Sequence, residues 1–379
     1  MSGDEPMAAD GDAATIAGLP LPVPSVPVHT VGCGGGSIAY ADAGGALRVG
    51  PQSAGADPGP ACYGKGELPT VTDAHVALGH LGAGTLLGGA FPIDVDAAVA
   101  AIERLGRELG LTTARTAEGI LEVADIAMAR AILVITAERA VDPAHVPLVP
   151  YGGAGALHAA GLVQRLGLPG ALVPPNPGAL SAVGLALAGE SVEHARAVRL
   201  GSSPTDQRTL RHLATELTNA VRAELDRDTD GGKRARVRVV VTVRYRGQGG
   251  GIALPLRGDL TRRFAREHER RFGFAVDAPL EIVRVTARGE LPARRIARAG
   301  SNEKTTRAAR TVRGGTERRP PIGGPALRIL ARDELPIGAR VPGPAIIEEP
   351  TATTRIPRGF LASVTESGCW LALTSASKC

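Results

Sequence analysis

The sequence predicts an α/β chain in two parts: an α/β region over residues 19–201 and an α+β, β-rich region over 206–379. Three observations carry this. A short apolar run, a Gly turn, a helical stretch and a second apolar run follow one another over residues 146–173, the order of a parallel α/β unit. Apolar residues recur at helical spacing over 94–109 and 114–139. Residues 327–373 hold several short strand candidates separated by Pro and Gly, which predicts a small β-rich module.

The composition allows such a fold. The 379 residues are 44% hydrophobic and 21% charged, enough to bury a sizeable core. Aromatics make up only 3%, so Ala, Val, Leu and Ile must fill that core. The 50 Gly and 29 Pro imply many turns and loops. The net charge is +5, and Arg is dense over 234–238, 262–271 and 294–319. No aromatic residues interleave with these Arg runs as stacking platforms, so they read as solvated surface rather than a nucleic-acid face. The four cysteines, at 33, 62, 369 and 379, form no CxxC pair, so zinc-site spacing is absent. No signal-peptide pattern opens the sequence and no apolar run has membrane-spanning length, which predicts a cytoplasmic protein with reduced thiols.

Taken in order, residues 1–18 are small, polar and acidic and read as a disordered or truncated tail. Residues 19–28 alternate Pro with apolar residues and read as extended. Residues 37–40 and 46–49 predict two strands joined by a turn at 42–45, and 51–66 a long loop. Residues 72–81 predict a helix capped by Thr72 or Asp73. Residues 94–109 predict an amphipathic helix, and 114–139 an Ala-rich one buried on most sides. Then come the strand at 146–151, a helix at 157–166, a strand at 171–173 and a small-residue helix at 179–188. Past a linker near 202–206, the periodicity predicts helices at 208–227 and 260–272 and strands at 237–245, 252–256 and 282–291. Residues 294–320 are charged and read as flexible.

Two Gly-rich loops suit ligand binding. Gly32–Ser37, with Gly34, Gly35, Gly36 and Ser37, lets main-chain N–H groups approach an anion without a side chain intervening. A tight packing turn explains the same residues equally well. The second loop, Gly152, Gly153, Ala154 and Gly155, lies between a strand and a helix, where α/β sheets bind ligands and a helix N-terminus offers free N–H donors. Asp73 and His158 are candidates for polar roles, although a lone Asp or His is more often structural. The catalytic residues are otherwise open. No GxSxG, HExxH or Ser-His-Asp signature can be read, and no metal ligands are assigned.

The run VHTVGCGGGSIAYADAGGALRVGPQSAGADPGPACYGKG with PTVTDAHVALGHL, then MARAILVITAER, DPAHVPLVPYGGAGALHAAGLVQRLGL and VPPNPGALSAVGLALA, closely resembles the hydantoinase A / 5-oxoprolinase family. RYRGQ, FAREHERRFGF and GPAIIEEPTATTRIPRGF continue the resemblance in order. It implies the second lobe of an actin/hexokinase-like ATPase fold followed by the α+β region. It also implies ATP and Mg²⁺ as cofactors and ring opening of a lactam such as 5-oxoproline or hydantoin through a phosphorylated amide. A hydantoinase B-type subunit is the implied partner. By the same resemblance Gly152, Gly153, Ala154 and Gly155 contact nucleotide, and Gly34, Gly35, Gly36 and Ser37 contact substrate or anion.

The family's DxGGT-type phosphate loops do not occur in this sequence, Cys33 stands for the usual Ala and Ala156 for the usual Pro. The expectation is therefore an A-subunit-type portion that works with a complementary N-terminal half and is not autonomous. The alternatives are a non-catalytic remnant or assembly module, and a subunit of an ATP-dependent ketone carboxylase.

Overall fold

The computed structural model describes residues 14–16, 19–21, 28–138, 141–227, 235–291, 311–312, 314–365 and 370–375. The expected flexible stretch at 294–320 lies largely outside these residues, as does most of the expected N-terminal tail. The chain forms two compact units, residues 1–28 with 185–297, and residues 29–184 with 298–379. The sequence predicts a linear division, 19–201 followed by 206–379. The structure instead returns the last eighty or so residues to the first α/β region, because the C-terminal strands complete its sheet.

In the first-named unit, Ala14–Ile16 (β1) pairs antiparallel with Leu19–Leu21 (β2). The second unit begins with the expected hairpin, Ser37–Ala41 (β3) against Leu47–Ser53 (β4). Asp42 fixes its turn by accepting from Gly44 N and Ala46 N. Three helices follow: Val71–Ala77 (α1), Val95–Leu109 (α2) and Thr113–Glu138 (α3). They pack through Val71, Ala74, Ile102, Leu105, Ala117 and Ile120. Fully burying an Ile or Leu contributes about 1.5–3 kcal/mol. The N-cap of α1 is Thr70, and Asp73 is the third helical residue, closing a capping box with it; neither Thr72 nor Asp73 is the cap. The expectation that α3 is buried on most sides holds for its first turns only. Leu133 and Val134 near its end are exposed.

Gly155–Leu166 (α4) and Ala171–Val173 (β5) form as expected, but residues 146–151 are not a strand. They make one parallel bridge, Leu148 to Ala171. Pro147 and Pro150 lack the N–H donors that a ladder needs. The sheet containing β5 is antiparallel where β5 joins it. Leu180–Leu187 (α5) then ends in a largely exposed turn.

The other unit continues with Ser191–Leu200 (β6), Pro204–Arg227 (α6), Arg236–Tyr245 (β7), Ile252–Pro255 (β8), Leu260–Phe272 (α7) and Leu280–Glu290 (β9). Its antiparallel sheet runs β6-β9-β7-β8. The Leu210, Leu213, Leu217, Val221 and Leu225 stripe of α6 covers it, as the period predicts.

The C-terminal strands are Thr316–Arg318 (β10), Leu327–Ala331 (β11), Arg340–Pro342 (β12), Ala345–Glu349 (β13), Ala352–Ile356 (β14), Phe360–Val364 (β15) and Leu371–Ser375 (β16). One sheet runs β10-β11-β13-β14 and the other β12-β15-β16-β5. Leu371 and Leu373 of β16 sit opposite Val173 and Ala171, in one core with Ala159, Val163 and Ile347. The whole is a mixed α/β protein with several sheets. No helix among the described residues is long and apolar enough to cross a membrane.

Candidate functional site

The two Gly loops, far apart in sequence, line one cavity of about 390 Å³. Gly35 and Gly36 come from the first loop, Gly153 and Ala154 from the second. Gly34, Ser37, Gly152 and Gly155 are not part of the lining. Ser37 is buried at the start of β3. Gly152 serves the loop's shape instead: its φ of 83° is left-handed, which favours glycine, and its N–H donates to Pro177 O.

The first loop is built by close approach as well as by freedom from side chains. A Cβ on Gly35 would sit 2.7 Å from Thr72 Oγ1, and one on Gly32 would sit 2.7 Å from Pro51 Cα. Thr72 Oγ1 also donates to Gly35 O at 2.9 Å. Ligand access and packing are both satisfied by the same glycines. At the second loop, α4 begins with Ala154 as its N-cap and no side-chain cap. No side chain therefore caps the first N–H groups, which lie at the positive end of the helix, and Leu157 N donates to Ala154 O.

The rest of the wall was not assigned from the sequence. Tyr63, Leu81, Leu86 and Phe91 supply apolar surface, and Tyr63 and Phe91 stack edge to face at 4.8 Å. The β13–β14 turn adds Pro350, Thr351, Ala352 and Thr353. GPAIIEEPTATT stood out in the sequence only as part of the family resemblance, and nothing local marked it as part of a site. Its turn is fixed from behind. Glu349 accepts from Arg332 Nη1 at 2.5 Å and from Asn176 N at 3.2 Å, and Arg332 also donates to Pro174 O. Burial raises the Glu349 carboxyl above its ordinary range, opposed by Arg332. None of the lining residues is charged.

Asp73 lies outside this cavity. It is fully buried, and its carboxylate accepts from Ala61 N, Cys62 N, Thr70 N and Thr70 Oγ1 at 2.7–3.1 Å. Those bonds tie the 54–66 loop to α1 and make Asp73 a structural anchor. Burial, with the Asp73 carboxylate beside it, pushes the Cys62 thiol far up, so Cys62 is held as a thiol. His158 is buried one residue beyond the cavity-lining Leu157, and its Nδ1 lies 2.7 Å from Asp125 Oδ1.

A cavity lined by two Gly loops, the start of a helix and mostly apolar side chains, in an α/β protein, has the character of a small-molecule pocket. Over residues 8–194 the sequence matches the pattern described as Hydantoinase/oxoprolinase, and the chain belongs to that family. It is 31% identical over 368 residues to caprolactamase subunit alpha of Pseudomonas jessenii, covering 92% of this chain and 52% of that one. The crystal structure of the ATP-dependent caprolactamase from that organism superposes with a TM-score of 0.77 at 31% identity, over 94% of this chain and 54% of the other. A shorter stretch of 158 residues, 41% of this chain, is 42% identical to the acetophenone carboxylase gamma subunit of Aromatoleum aromaticum, covering 21% of it. The chain spans about half the length of the caprolactamase subunit.

Proposed function

We propose that this chain is an A-subunit-type portion of an ATP-dependent enzyme that opens small cyclic amides, acting with a complementary segment and a hydantoinase B-type subunit. In this reading, residues 29–184 with the C-terminal strands form the second lobe of an actin-like ATPase. The observation that carries it is the cavity itself: the two loops suited to main-chain contact with a ligand meet there. The likeness to the caprolactamase alpha subunit supports the cyclic amide as substrate class.

The residues fit one part of the reactants and not another. The uncharged lining, with Tyr63, Phe91, Leu81 and Leu157, suits a ring or base and excludes water from it. In this reading the main-chain N–H groups of Gly153 and Ala154, which line the cavity at the uncapped start of α4, would donate to an oxygen atom of the ligand. When bound, ATP supplies the phosphoryl group that turns the amide oxygen into a leaving group. A magnesium ion needs carboxylates, and the lining has none. Among the described residues no cluster of His, Cys, Asp and Glu is arranged to hold a metal. In this reading a magnesium ion would be held by residues beyond this cavity.

The test is ADP release from the full chain assembled with its complementary segment and B-type subunit. Lactam-dependent release is expected, and release indifferent to every lactam overturns the reading. The likeness to acetophenone carboxylase gamma favours a second reading, ketone carboxylation. Turnover that requires bicarbonate and a ketone instead of a lactam selects it.

A further inference from the structure

Four titratable side chains stand in line in the layer behind the cavity, between α1, α3 and α4. His80 Nδ1 lies 3.0 Å from His75 Nδ1. His75 Nε2 lies 3.4 Å from His158 Nε2, and His158 Nδ1 lies 2.7 Å from Asp125 Oδ1. All four are buried. Gly161 of α4 makes room for the carboxylate, since a Cβ there would sit 2.2 Å from Asp125 Oδ2.

The contacts leave one neutral arrangement of protons. A carboxylate only accepts, so His158 carries its proton on Nδ1 and accepts on Nε2. His75 must then donate from Nε2 and accept on Nδ1, and His80 must donate from Nδ1. Every N–H points toward Asp125. The open end is His80 Nε2, which has no partner among the described residues. His80 begins the segment whose Leu81 and Thr85 line the cavity, Thr72 lies one turn before His75, and Leu157 adjoins His158. The other charged group facing the line is Arg355 on β14, and Glu118 on α3 acts on Arg355 in turn.

We propose that His80, His75, His158 and Asp125 form a proton relay that exchanges protons with the reaction in the cavity. A proton arriving at His80 Nε2 releases the Nδ1 proton to His75 Nδ1. His75 then releases its Nε2 proton to His158 Nε2, and His158 releases its Nδ1 proton to Asp125. One proton enters, one carboxylate becomes a carboxylic acid, and the three rings end neutral. Reversal returns the proton. Ring opening needs such a store, because attacking water sheds a proton and the departing nitrogen takes one up. Burial and Arg355 hold His75 and His80 well below the ordinary imidazole range, so the rings pass a proton on rather than keep it. The three histidines act through one another and are positioning residues. Their part in turnover rests on the ring-opening reading; the relay does not.

The experiment is ¹⁵N-histidine NMR of the full chain at pH 7.5. Expected are Nδ1–H on His80 and His158 and Nε2–H on His75. An Nδ1–H tautomer on His75, or a doubly protonated ring among the three, overturns the relay even if no variant folds. His75→Phe, confirmed folded by circular dichroism, is expected to slow solvent exchange of the His158 ring proton; unchanged exchange overturns conduction. In the assembled enzyme His75→Phe is expected to lower kcat about 100-fold with KM unchanged, and undiminished kcat overturns the relay's part in turnover. If the tautomers are as expected but the wild-type enzyme opens no lactam, the ring-opening reading fails, the proposed exchange with that reaction fails with it, and the proton line alone stands.

Discussion

His75 and His80 meet Nδ1 to Nδ1 at 3.0 Å inside the protein, a contact that requires one ring to donate and the other to accept. The accepting ring is therefore neutral in the folded chain, and burial, which lowers the affinity of each ring for a second proton, disfavours the charged form of the donor as well.

This neutrality predicts acid sensitivity. The unfolded chain protonates these imidazoles near pH 6.5, whereas the folded chain resists until its lower values are reached. Below pH 6.5 the unfolded state thus binds more protons, and stability falls as pH falls. The expected slope is about 1.4 kcal/mol per pH unit for each histidine. Above pH 6.5 the contribution is flat. Urea denaturation of the wild type and of His75→Phe at pH 7.5, 6.5 and 5.5 checks it. The variant should lose less stability over the last step, and equal losses would contradict the prediction.

Asp73 gives a prediction of another kind. Its carboxylate holds two loop N–H groups and both polar groups of the α1 N-cap, so Asp73→Ala orphans several buried donors at once. The expected loss is about 2–4 kcal/mol, measured by chemical denaturation. Asp73→Asn retains an acceptor and should lose less. A near-neutral Asp73→Ala would show that water reaches the 54–66 loop and would undo its role as an anchor.

How far the site was legible depends on the range of the interactions that make it. The α7 helix was legible from its own periodicity, and it spans the expected 260–272 because Asp259 caps it and Gly273 stops it locally. The Gly35 and Gly153 loops were likewise legible from local sequence. The strand expected at 146–151 failed because Pro147 and Pro150 outweigh its apolar pattern. Thr351 and its turn were invisible as site residues, since their place beside Gly153 is set by the buried Glu349–Arg332 pair and by β16 pairing with β5. The His75–His158 contact spans eighty-three positions, and no spacing rule reaches across that distance.

Gly153 separates binding from folding. A Cβ there would meet Thr351 O at an ordinary 3.5 Å, so Gly153→Ala should fold with little loss. The branched side chain of Gly153→Val instead fills the approach to the free N–H groups of α4. Nucleotide-dependent thermal stabilisation of the assembled complex should disappear in Gly153→Val and survive in Gly153→Ala. Gly35→Val differs, since its Cβ would press on Thr72 Oγ1 at 2.7 Å, and the melting temperature itself should drop. Full nucleotide-dependent stabilisation in Gly153→Val would place the ligand elsewhere.

The chain by itself is expected neither to hydrolyse ATP nor to open a lactam at a useful rate. Phosphoryl transfer needs a metal held by carboxylates, phosphates cradled by cationic or main-chain donors, and a positioned nucleophile. The cavity is lined by the Gly loops, four threonines and otherwise mostly apolar side chains. No Asp, Glu, Lys or Arg lines it, and the buried carboxylates nearby are committed: Asp73 to the 54–66 loop, Asp125 to His158, Glu349 to Arg332. A ring or base can bind in such a cavity, but the charge that develops during transfer has no partner there. The end of α3, with Leu133 and Val134 exposed, and the exposed Leu185 of α5 also present apolar surface to water. Purified alone, the chain should self-associate at high concentration, and co-expression with the complementary segment should relieve this. Sedimentation with a coupled ADP assay reads both properties. A monodisperse chain that releases ADP in a lactam-dependent way would show that Asp73, Asp125, Glu349 or another carboxylate of this chain takes part in phosphoryl transfer.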